Sequence, residues 1–137
     1  MKIVIDTNLL VACMFKKSSA SGKIIDLAQK DLVIVMWHQR IRDEAKLITS
    51  KIMNAVPKAK IDLDKVFKKE NEVKELPEID GGSIDPDDDK FLACAIAGEA
   101  DMLVSNDKHL LDLKSFEGIP IYTSGNALKI IIGPTVK

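Results

Sequence analysis

Residues 2–15 read KIVIDTNLLVACMF: a run of β-branched residues, then an acid, then a stretch of helix formers. Ile3, Val4 and Ile5 are not separated by polar residues, so the run suits a short strand buried on both faces. It closes on Asp6, and Thr7 and Asn8 open a helix that continues through Phe15. The same pattern returns late in the chain, where MLVS (102–105) leads through Asn106 to Asp107 and a short helix over 107–113. Two strands that each end in an acid before a helix are the repeated unit from which the rest is read.

Between and around them the chain keeps alternating. A Ser-rich cap followed by Ile24, Ile25, Leu27 and Ala28 predicts a helix over 18–30, and LVIVM (32–36) predicts a second buried strand. Ile41, Ala45, Ile48 and Ile52 recur at helical spacing, which predicts a helix over 39–54. Pro57 breaks it, and a further helix is expected over 58–70, then a short strand over 73–76. Residues 77–86 hold Pro, two Gly and acids and read as a loop; an Ala-rich helix follows over 87–98. IPIY (119–122) is expected as the last strand and 125–132 as the last helix, ended by Gly133 and Pro134. Strands alternating with helices require crossovers, hence an α/β fold with a mostly parallel sheet covered by helices on both faces. No stretch is long enough to separate domains, so one domain over 1–137 is expected.

The bulk composition narrows the function without naming it. At 46% hydrophobic and 30% charged residues the chain can bury a core, and a net charge of −1 argues against binding nucleic acid by overall positive charge. Cys13 and Cys94 sit among apolar neighbours without metal-ligand spacing and read as core residues. No apolar run approaches the length of a membrane span, and Asp6 and Asn8 interrupt the N-terminal one, so no signal peptide is read and a cytoplasmic, membrane-free protein is expected.

Chemistry concentrates in the acids. Asp6 and Asp107 close strands of a parallel sheet, so both are expected on the rim where ligands of such folds sit. Ile84-Asp85-Pro86-Asp87-Asp88-Asp89 places four acids ahead of an apolar helix. A helix N-terminus favours one or two of them through its dipole. Asp89 lies three residues before Leu92 and seven before Ile96, so it is expected to face inward while Asp85, Asp87 and Asp88 stay in water. Glu44 lies three and four residues from Ile41 and Ile48, close to the buried stripe of its helix. Gathered carboxylates repel by roughly 4 kcal/mol per pair at about 4 Å and an effective dielectric near 20, and a bound cation reverses the sign. Hard ions such as Mg2+ or Mn2+ suit oxygen donors, and such a site can activate water against a phosphodiester. Lys16, Lys17, Arg40, Arg42 and Lys46 flank two of the acidic positions and are candidates for contact with the phosphates of such a substrate. His38, His109 and the phosphate-loop-like Ser21-Gly22-Lys23 are set aside, the last because no strand or upstream Gly precedes it.

Three segments, MKIVIDTNLLVACM (1–14), IDPDDDKFLACAIAGEADMLVSNDKHLLDL (84–113) and FEGIPIYTSGNAL (116–128), resemble the PIN-domain nucleases, and within them the toxins of toxin–antitoxin pairs. The resemblance implies a three-layer α/β/α sandwich around a mostly parallel sheet of about five strands. It implies the catalytic set Asp6, Glu44, Asp89 and Asp107, with Asp6, Asp89 and Asp107 holding Mg2+ or Mn2+ and Asn8, Thr7 and Ser105 in support. Asp89 is matched as the acid heading Asp-x-x-Leu-Ala-x-Ala. Before Glu44 the chain reads Met36-Trp37-His38-Gln39-Arg40, where the family more typically has a Ser-Pro type of turn. An RNA substrate, a protein antitoxin and a homodimer are the partners implied. Two other readings compete: a catalytically silent PIN scaffold that binds RNA or protein, and a phosphohydrolase with an aspartyl nucleophile, which usually needs a second acid where this chain has Asn8.

Overall fold

A computed structural model describes residues 1–80 and 86–133. Asp85 and Pro134, both read above, lie outside the described residues. The elements in chain order are β1 (Lys2–Ile5), α1 (Thr7–Phe15), α2 (Ala20–Gln29), β2 (Ile34–Val35), α3 (Gln39–Ala55), α4 (Leu63–Val66), α5 (Asp89–Ala97), β3 (Met102–Val104), α6 (Lys108–Leu111), β4 (Ser115–Phe116), β5 (Ile119–Tyr122) and α7 (Ser124–Ile132). Short 3₁₀ turns occupy Lys69–Asn71 and Pro86–Asp88.

Five strands form one sheet in the order β2-β1-β3-β5-β4, parallel except for the β4–β5 pair. Helices flank this sheet in the α/β/α arrangement. The unbroken apolar runs explain the centre: Ile3, Val4, Ile5, Leu103 and Val104 are buried, as a strand covered on both faces demands. The chain leaves β1 for β2 on one side and later returns to place β3 on the other. Right-handed crossovers running in opposite directions along a sheet cover opposite faces, so the winding reverses between β1 and β3. The two strand-ending acids stand at the carboxyl ends of β1 and β3, at that switch point.

Several expected elements change at the edges. LVIVM shrinks to the two-residue β2, because it is an edge strand and Leu32 and Ile34 reach solvent. The expected helix over 58–70 reduces to the single turn α4 and a 3₁₀ turn. The expected strand over 73–76 is one isolated parallel bridge between Trp37 and Glu72, with Val73 N–H donating to the Trp37 carbonyl at 2.6 Å. Trp37 anchors this segment itself: its Nε1 donates to the Lys68 carbonyl at 2.7 Å and its ring packs on Phe67 at 5.7 Å between centroids. β4 was not expected. It pairs with β5 through Glu117 and Gly118, both at positive φ (51° and 80°), the requirement of a two-residue hairpin turn.

Candidate functional site

The register builds the site. The last paired residues of β1 and β3 are Ile5 and Val104, and Asp6 N–H still donates to the Val104 carbonyl at 3.1 Å. Asp6 and Ser105 therefore leave the sheet side by side at one rim. Asp6 has extended backbone and caps α1: its Oδ1 accepts from Asn8 N–H at 2.6 Å. Its Oδ2 accepts from the Ser105 hydroxyl, whose oxygen in turn accepts from Asp107 N–H at 2.9 Å. Asp107 repeats the pattern on α6, with Oδ1 accepting from His109 N–H at 2.9 Å. One serine thus ties the two strand-end acids together. Asn106 fixes the same turn from the other side, its Oδ1 accepting from Ser124 N–H at 3.0 Å and its Nδ2 donating to Ser124 Oγ at 3.1 Å. Thr7 is buried beside Asp6 in sequence, and its hydroxyl has no hydrogen-bond partner among the described residues.

Asp6 is 4% exposed. Burial pushes its carboxyl above the ordinary range; the hydrogen bonds from Ser105 and Asn8 pull it down, and the charges of Asp107 and Glu44 push it up again. Asp6, Asp107 and Glu44 therefore share one electrostatic neighbourhood although they are distant in the chain. Like charges so gathered are unfavourable unless a cation, from the protein or from solution, offsets them.

The acids before α5 divide. A carboxylate oxygen of Asp88, one of Asp107 and a ring nitrogen of His109 lie within 4.8 Å of one another, and Asp88 is half-buried rather than in water. Asp89, also half-buried, lines a neighbouring hollow of about 360 Å³ with Arg40, Pro86 and Lys90. Consecutive residues entering a helix point about 100° apart, so Asp88 and Asp89 leave the turn in different directions. The inward-facing argument used Leu92 and Ile96; Phe91 and Ala95, three and seven residues beyond Asp88, are the pair that is buried together, whereas Ile96 is only half-buried. His109, set aside as a surface residue, is exposed, but its Nδ1 is 3.8 Å from Asp107 Oδ1. An Asp-x-His spacing across a helix cap was the signal available for it.

Glu44 meets a residue the sequence did not single out. Lys90 Nζ lies 2.7 Å from Glu44 Oε2 and donates to the Asp87 carbonyl at 2.6 Å. Of the basic candidates, Arg40 is exposed and borders the hollows that contain Glu44, Asp87 and Asp89. Arg42 is engaged with Asp64 at 2.6 Å. Lys16 caps the far end of α1 from Asp6, and Lys17 lines a separate hollow of about 780 Å³ with Lys23, Lys60 and Lys65 over Cys13. The departure before α3 is explained locally: His38 is the cap, its Nδ1 accepting from Arg40 N–H at 3.0 Å, in place of the Ser of a Ser-Pro turn.

The donors at the rim, carboxylate oxygens with one imidazole nitrogen at its edge and no sulfur, fit a hard or borderline divalent cation such as Mg2+ or Mn2+. No helix among the described residues is long and apolar enough to cross a membrane. A family model described as PIN domain matches residues 2–109, a span that includes Asp6, Glu44, Asp88, Asp89, Asp107 and His109. No curated protein and no solved structure gives a match.

Proposed function

Since a match over most of its length makes the chain a member of the PIN-domain family, we propose that it is a single-domain endoribonuclease using Mg2+ or Mn2+, the toxin of a toxin–antitoxin pair. The observation that carries the reading is the pair Asp6 and Asp107: two acids at the switch point of a parallel sheet, one of them buried and under the charge of the other. PIN domains are generally nucleases, and phosphodiester hydrolysis is the chemistry such an acidic site serves.

Asp6, Asp89 and Asp107 hold the cation in this proposal, with Asp88 added to the set by its approach to Asp107. When bound, the cation polarises the phosphodiester and lowers the pKa of an attacking water. The chain's own residues set the stage for that. Ser105 and Asn8 hold Asp6 in one orientation through its two oxygens, Thr7 lies buried in the first turn of α1 next to it, and Glu44, paired with Lys90, stands in the same electrostatic neighbourhood. Arg40 supplies positive charge beside the acids for an RNA phosphate; Lys16, Lys17 and Arg42 are further contact candidates. A protein antitoxin is the proposed inhibitor and a homodimer the proposed assembly.

The test is cleavage of structured and single-stranded RNA with Mn2+, with Mg2+ and with chelator, for the wild type, Asp6→Asn and Asp107→Asn. Cleavage confined to the metal-loaded wild type supports the proposal. Equal cleavage by all three proteins, or none by any, overturns it, and RNA binding without cleavage would point to a silent scaffold. For the toxin role, induced expression should arrest growth and Asp6→Asn should not.

A further inference from the structure

Lys90 is the only lysine or arginine among the buried described residues, its side chain 6% exposed. A buried ammonium is costly unless paired, and this one is held from three sides: the Glu44 carboxylate at 2.7 Å, the Asp87 carbonyl at 2.6 Å, and the Phe91 ring with its centroid 4.8 Å away. Glu44 belongs to α3, while Asp87 lies in the 3₁₀ turn that delivers Asp88 and Asp89. The side chain therefore bridges two elements exactly where both contribute acids, and it balances one of the charges that Asp6 feels.

We propose that Lys90 is a positioning residue that keeps Glu44 in a neutral pair, withheld from the divalent cation, and fixes the turn from which the α5 acids are aimed; the proposal rests on the nuclease reading above. The cation is then held by aspartates, and Glu44 serves as the counter-charge of Lys90. An ammonium so placed also opposes a second positive charge nearby. Its removal has two effects of opposite sign: it frees Glu44 and strengthens cation binding, and it loosens the turn and slows cleavage. A purely structural lysine would weaken both together.

Mn2+ binding by calorimetry, independent of RNA, reads the first effect, and kcat reads the second. Lys90→Met should bind Mn2+ at least about threefold more tightly and lose about tenfold or more in kcat, while Lys90→Arg should stay close to the wild type in both. Because Lys90→Met leaves a half-buried Glu44 unpaired and can fail to fold, the double variant Glu44→Gln/Lys90→Met, which replaces the ion pair by neutral side chains of similar size, is the second measure. It should bind Mn2+ within about threefold of the wild type. A loss of about thirtyfold or more in the double variant would make Glu44 a direct ligand and overturn the proposal while leaving the nuclease reading intact. Weaker Mn2+ binding by a folded Lys90→Met would overturn it as well. A wild type that binds no Mn2+ removes both readings.

Discussion

At the scale of single residues the two strand-end acids were legible because a parallel register leaves little freedom: a residue one to three steps past a paired strand end has to stand near the rim. Asp6 carries a measurable consequence. Its carboxyl titrates above the ordinary value of 3.8, chiefly because it is buried, so its charged form weighs against the fold. The stability this group contributes is fully present below 3.8 and is lost as pH rises through the raised value. In chelator, Asp6→Asn should therefore gain in stability relative to the wild type as pH rises from about 3.5 to about 7, read from chemical denaturation at the two pH values. The same substitution should lower Mn2+-dependent cleavage by about 100-fold or more. The sequence favoured Asp89 over Asp88 by a facing argument, and such arguments depend on which apolar neighbours meet the sheet. Asp88→Asn should weaken Mn2+ binding more than Asp89→Asn, because a carboxylate oxygen of Asp88 lies within 4.8 Å of Asp107 and His109. The reverse order, measured by calorimetry, would return the role to Asp89.

Among the elements, those with a strong apolar period or an unbroken β-branched run appeared where the sequence put them: α1, α3, α5, β1, β3 and β5. The misreadings share one cause. LVIVM and the segments over 58–70 and 73–76 were judged by composition, yet they lie at or beyond the sheet edge, where few partners extend a strand or cover a helix. β4 was hidden because two residues cannot show a period, although Glu117-Gly118 held the turn signal. Gly22 has a different explanation from the phosphate loop it superficially suggests. A Cβ there would stand 2.3 Å from the Lys17 carbonyl oxygen, so the glycine lets the start of α2 lie against the end of α1. Gly22→Ala should cost about 2–3 kcal/mol in urea denaturation and leave Mn2+ affinity unchanged, since the contact is remote from the acids.

On the scale of the whole molecule, the proposed ion at an acidic rim would couple its binding to folding, because it offsets repulsion that the folded chain alone bears. Free Mn2+ at about 100 times its dissociation constant should add about 2.7 kcal/mol to stability, roughly 10 °C in Tm for a chain of this size. The shift should vanish in Asp107→Asn, and an equal shift in that variant would place the ion elsewhere. The order β2-β1-β3-β5-β4 has one more consequence. The neighbours β1 and β3 are separated by nearly a hundred residues of chain, so Asp6 waits for its companion until Asp107 has been synthesised and β3 has docked. The two acids at the rim therefore meet only once distant stretches of the chain have been laid side by side, so the site reports on the completed sheet and not on any local segment.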